Sequence, residues 1–146
     1  MKRTALLLLL GTVGCNFSPL MNRIEIGQEP FVIVVGEGAD GRADLFAVSS
    51  GGGEMTQLTY TTLLEVGPRL TPEGALLGFI RMRDTLVGTP REVVVMNLLN
   101  GGERVIPVDS TPPDAVAWSS DAPALCTHAG GATLAGPPGQ VQIIDA

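Results

Sequence analysis

The 146-residue sequence predicts an all-β fold, and three observations carry that expectation. Apolar runs beyond residue 29 are short, β-branched and stopped by Gly, Pro, Asn or Ser. Nineteen Gly and eleven Pro punctuate the chain too often for a helical bundle. No window of twelve residues past the N-terminal leader carries a 3.6-residue apolar period. Hydrophobic residues at 45 % argue against wholesale disorder.

The strands follow in order. Phe31-Val32-Ile33-Val34-Val35 is a β-rich run ending at Gly36. Leu45-Phe46-Ala47-Val48 ends at Ser49-Ser50-Gly51-Gly52-Gly53. Residues 76–83 alternate towards their end, and Val93-Val94-Val95-Met96 stops at Asn97. Residues 104–108 follow the turn Asn100-Gly101-Gly102, and Val141-Gln142-Ile143-Ile144 lies near the C-terminus. These segments recur at an offset of 48: Val48 maps to Met96 and Ile144, Phe31 to Phe79, and Leu70 to Trp118. Pro72-Glu73-Gly74 maps to Ser120-Asp121-Ala122. Four short strands in a unit of about 40–50 residues is the signature of propeller blades. The expected architecture is an incomplete β-propeller-like stack of four-stranded antiparallel blades. It comprises two full repeats, the last strand of a preceding one and the first of a following one. A closed ring needs about four to eight blades. An open stack leaves apolar faces uncovered and predicts self-association.

Val93-Val94-Val95-Met96-Asn97, a Gly-containing turn, a further strand, and then Ala117-Trp118-Ser119-Ser120-Asp121 resemble the TolB-like β-propeller repeat. The preceding unit matches through residues 45–48, Gln57-Leu58-Thr59, Leu70-Thr71-Pro72-Glu73-Gly74 and residues 77–80. Pro at i+1 and Gly at i+3 of Thr71-Pro72-Glu73-Gly74 suit a type I turn between strands. The later unit has Ser120 and Ala122 at those places, so it is degenerate. The resemblance covers residues 31–146. It implies the propeller fold and leaves function open.

The leader is an address. Met1-Lys2-Arg3 is basic, Thr4 to Leu10 is apolar with five consecutive Leu, and Gly11-Thr12-Val13-Gly14 precedes Cys15. This order is that of a secretory signal peptide, and its apolar part is far short of the roughly 20 residues that span a bilayer. Thr12-Val13-Gly14-Cys15 resembles the bacterial lipobox, with Thr at −3 where Leu is commonest. That resemblance implies cleavage after residue 14, acylation of Cys15 and a membrane-anchored place in the cell envelope. The alternative is a secreted protein whose signal ends near a Cys. Residues 15–28 then serve as a tether, and residues 29–146 form the domain.

Fifteen acidic residues face seven Arg once Lys2 and Arg3 are set aside, a net eight negative charges. That balance excludes nucleic acid as an expected partner. Gly36-Glu37-Gly38-Ala39-Asp40-Gly41 spells G-x-G-x-x-G, but a strand rather than a helix follows it, so it reads as a hairpin. Asp40-Gly41-Arg42-Ala43-Asp44 lacks the distal Glu of a Ca²⁺ loop. Cys126 reads as a buried thiol on an outer strand. His128 is the sole His and too little for a metal centre. Ser119, Ser120, Asp121 and His128 match a triad in composition alone. Trp118 and Phe79 read as core. No catalytic, cofactor or metal residues are assigned. The expected activity is non-catalytic binding of a protein or glycan. The alternatives are a propeller accessory to an envelope hydrolase and a degenerate fragment without activity.

Overall fold

The computed structural model describes residues 18–20, 23–86, 89–107, 113–119, 124–129 and 140–145, the last two segments through their backbone. Ten strands form three sheets, and no helix occurs among the described residues. The first sheet runs β1 (Phe31–Glu37), β2 (Ala43–Ser49), β3 (Thr56–Gln57). The second runs β4 (Leu64–Leu70), β5 (Leu76–Met82), β6 (Arg91–Asn97), β7 (Glu103–Ile106). The third runs β8 (Ala115–Trp118), β9 (Ala124–Ala129), β10 (Gln140–Asp145). All neighbours are antiparallel and consecutive in sequence, so each sheet is a meander.

The second sheet is the middle layer, because side chains alternate across a strand and both its faces are apolar. Leu77, Phe79, Val94 and Met96 pack against Leu45 and Ala47 of the first sheet, with Leu20, Ile24, Leu58 and Leu98 completing the cluster. Ile80, Met82, Val93, Val95 and Ile106 form the opposite cluster with Val116, and Trp118 packs against it. A strand buried on both faces reads as a continuous apolar run, which is what Val93-Val94-Val95-Met96 is.

The pairing registers make the sheets copies of one pattern. Leu70 pairs with Leu77, and 48 residues later Trp118 pairs with Leu125. Leu76 pairs with Asn97, and Ala124 with Asp145. Ala47 pairs with Thr56, and Val95 with Arg104. The first hairpin is shorter. Phe31 pairs with Ser49, whose counterpart Asn97 pairs with Leu76, so Phe31 answers to Leu76. This corrects the equivalence of Phe31 with Phe79, which a fixed offset of 48 gives.

The structure also corrects the division of the repeat. β1 and β2 lie in one sheet, so Gly36-Glu37-Gly38-Ala39-Asp40-Gly41 joins two strands of the same unit. Among the described residues the first sheet shows no counterpart of β4 and the third none of β7, giving three, four and three strands. β9, which carries Cys126, is the central strand of its sheet rather than an outer one. The expected tether is shortened, since Leu20 and Ile24 are buried between the first two sheets and the Ser18 hydroxyl donates to the Leu98 carbonyl at 2.8 Å.

Local chemistry fixes the turns. At Thr71-Pro72-Glu73-Gly74 the Gly74 N–H reaches the Thr71 carbonyl at 2.9 Å, the i+3 bond of the expected turn, with Gly74 at φ +76°. β4 carries a bulge between Val66 and Arg69, where Gly67 takes φ +63° and Pro68 has no N–H to give the ladder. The extra residue lets Glu65 (opposite Arg81) and Leu70 (opposite Leu77) share one face.

Truncating Phe79 to Ala should cost about 3–5 kcal/mol of stability in urea unfolding, because its side chain is wholly buried in the first cluster. Val105→Ala, on an exposed edge position, should stay within about 0.5 kcal/mol.

Candidate functional site

A line of buried polar side chains crosses from the first sheet into the second. It starts at Asp44 on β2, 2 % exposed. The Gln57 amide donates to Asp44 Oδ2 at 2.8 Å and the Thr59 hydroxyl to Oδ1 at 3.2 Å. The Leu45 N–H donates to Thr59 Oγ1 at 2.9 Å, so this hydroxyl stitches the chain leaving β3 back onto β2. The Asp44 carboxylate occupies the space that a Cβ at Gly38 would need, which gives the first glycine after β1 a steric reason.

The line continues at Glu65 on β4, 0 % exposed. Its Oε1 accepts from Thr61 Oγ1 at 2.6 Å and from Arg81 Nε at 2.9 Å. The Arg81 guanidinium, resting 5.3 Å above the Phe79 ring, also donates to both carboxylate oxygens of Glu103 at 2.8 and 3.0 Å. One arginine therefore joins β4, β5 and β7 by a fork-shaped pairing that lysine cannot make.

Burial pushes the Glu65 carboxyl above its ordinary 4.5, and the neighbouring Asp44 carboxyl adds to the rise. Hydrogen bonds from Thr61 and Arg81 and the Arg81 charge pull the other way without cancelling it. Glu65 Oε2 is buried without a hydrogen-bond partner. For Arg81, burial opposes the charge while Glu103 and Glu65 more than restore it, so the guanidinium stays protonated.

Two grooves open nearby. One, of about 370 Å³, lies between residues 27–31 and the β4–β5 turn, lined by Phe31, Leu70 and Pro72 beside Gln28, Glu29 and Glu73. The Phe31 ring lies over Gly74, where an added Cβ would approach it to 3.3 Å. The other, also about 370 Å³, runs past Leu76 of β5, Val95 and Asn97 of β6, and Glu103 and Arg104 of β7. Glu103 thus connects the buried line to a surface that a ligand could reach.

The residues singled out from sequence are scattered. Gly36 to Gly41 form the β1–β2 hairpin, closed by the Gly38 N–H on the Arg42 carbonyl at 2.8 Å. A strand follows the hairpin, in place of the helix that a dinucleotide site needs. Asp40 caps the Arg42 N–H at 3.1 Å, while Asp44 turns to Gln57 and Thr59. Phe79 is core, as expected. Trp118 is half-buried against the second cluster and donates its indole N–H to the Arg69 carbonyl at 2.8 Å, tying β8 to β4. In register, Cys126 pairs with Ala117 and Ile143, and His128 with Ala115 and Val141. Cys15, Ser120 and Asp121 lie outside the described residues. No cluster of three metal-ligating side chains occurs among the described residues. Nor does any helix among them reach the length and apolarity needed to cross a membrane. Sequence reasoning passed over Glu65 and Arg81. The signal was there for Arg81, a charge at the same strand parity as Leu77 and Phe79.

No protein-family model matches this chain, and no curated protein matches it.

Arg81→Met should destabilise by about 3 kcal/mol or more, since it leaves Glu65 buried without its cation. The pH dependence has a defined sign. A carboxyl whose pKa is raised on folding binds its proton more tightly in the native state, so its contribution is full below 4.5 and is lost as pH rises through the raised value. Glu65→Gln keeps an acceptor for Thr61 and Arg81 and offers an N–H to Asp44, and should flatten that loss in urea titrations at a series of pH values.

Proposed function

We propose that this chain is a lipid-anchored cell-envelope protein whose domain is an incomplete TolB-like β-propeller, acting as a non-catalytic binding module for a protein or glycan. The observation that carries the reading is the pairing register that the second and third meanders share at a spacing of 48 residues, with the β2–β3 pairing of the first meander in the same frame. Stacked four-stranded meanders of that period are the building plan of propellers. The lipobox-like Thr12-Val13-Gly14-Cys15 supports the anchor, and acyl chains on Cys15 would hold the protein at a bilayer by about 0.8 kcal/mol per buried CH₂.

The groove at Phe31, Pro72 and Glu73 is the proposed contact site. It offers an apolar floor beside carboxylates, which suits a partner segment carrying an apolar side chain next to a basic one.

Cys15→Ser should abolish fatty-acid labelling and release the protein from membranes; undiminished membrane retention would refute the anchor. A partner recovered from envelope extracts with the wild-type chain should be lost with Glu73→Lys, which reverses a charge on the groove wall. Recovery that is indifferent to this change would move the contact elsewhere.

A further inference from the structure

The outer face of the first sheet repeats, position for position, the face that the second sheet buries. By the pairing registers, Val32 answers to Leu77, Val34 to Phe79, Phe46 to Val94 and Val48 to Met96. The four residues of the second sheet all lie in the first core cluster, under the first sheet. Their four counterparts are apolar without exception, yet they belong to neither core cluster, and Val32 is 55 % exposed. Val34, Phe46 and Val48 are half-buried, and their face is of the kind that the chain covers with another sheet one layer further on.

The chain also holds the matching register positions. Each sheet meets the next through the same register positions: Leu45 and Ala47 of the first sheet, then Val93 and Val95 of the second. The third sheet carries Val141 and Ile143 at those positions, 48 residues on. Its backbone pairing is that of β4 to β6 in the second sheet, so its outer positions are placed to be followed by a further sheet as the second is by the third.

We infer that the outer face of the first sheet, at Val32, Val34, Phe46 and Val48, is the docking surface for the third sheet of a second copy of this chain. The same contact formed twice closes a head-to-tail pair with two-fold symmetry. Two copies bring six stacked sheets, within the range of about four to eight that closes a propeller. Closure covers both terminal faces at once, whereas a one-sided contact leaves one of each exposed and grows into a filament. The inference rests on the propeller reading above but not on acylation of Cys15.

Native mass spectrometry of the full-length protein, released from mild detergent, should give twice the mass that denaturing mass spectrometry finds for the single chain. Val32→Glu places a charge in the docked face, and should weaken the pair by at least about a hundredfold while leaving the far-ultraviolet circular dichroism unchanged. A photo-crosslinking side chain at position 32, in a mixture of isotopically light and heavy chains, should attach to residues 140–145 of the other copy. A single-chain mass at micromolar concentration, a ladder of higher masses, or crosslinks from position 32 to residues 31–49 of the other copy would each overturn the proposal. Absence of fatty-acid labelling on the wild-type chain, with the pair intact, would sink the anchor alone.

Discussion

Everything in this molecule depends on the middle sheet having no face for water. Leu77, Phe79, Val94 and Met96 point one way, and Ile80, Met82, Val93 and Val95 the other. A sheet of that kind has no stable existence alone, because burying such side chains is worth about 1.5–3 kcal/mol each. It dictates a flanking layer on either side. The flanking sheets are held to it by apolar contact and by a few directed bonds, such as the Trp118 indole on the Arg69 carbonyl.

The buried polar line complements that packing. Apolar faces set which layers meet, but they tolerate sliding. A fork from Arg81 to Glu65 and Glu103, continued through Asp44 to Gln57 and Thr59, does not. Its geometry needs the bulge at Gly67-Pro68, which brings Glu65 onto the face of Leu70. Irregularity in one edge strand thus places Glu65 where the arginine holds three strands at once.

The sequence announces the fold class more clearly than its subdivision. Runs such as Val93-Val94-Val95-Met96 can be little else than buried strands, and Thr71-Pro72-Glu73-Gly74 names its own turn. β4 escaped notice because Leu64-Glu65-Val66-Gly67-Pro68-Arg69-Leu70 carries both strand breakers at its centre. The limits of the sheets were hidden for a different reason. Periodicity fixes the length of a repeat but not its starting point, which depends on which strand edges hydrogen-bond. The site was least legible. Glu65 and Asp44 are sixteen or more residues from Arg81, and nothing local in their surroundings marks them as buried. Leu20 and Ile24 look like linker residues for want of periodicity, yet they fill the seam between two layers.

The bond from Ser18 to the Leu98 carbonyl has a geometric consequence. Ser18 lies three positions after Cys15, a leash of roughly 10 Å at full stretch. Leu98 sits at the β6–β7 bend, its N–H bonded to the Ala75 carbonyl beside the β4–β5 turn. A fatty acid on Cys15 would therefore pin this end of the strands to the lipid headgroups and aim the β1–β2 and β5–β6 hairpins outward. The Phe31–Pro72 cleft lies at that same end of the strands, so with such an anchor its occupant would approach along the plane of the bilayer.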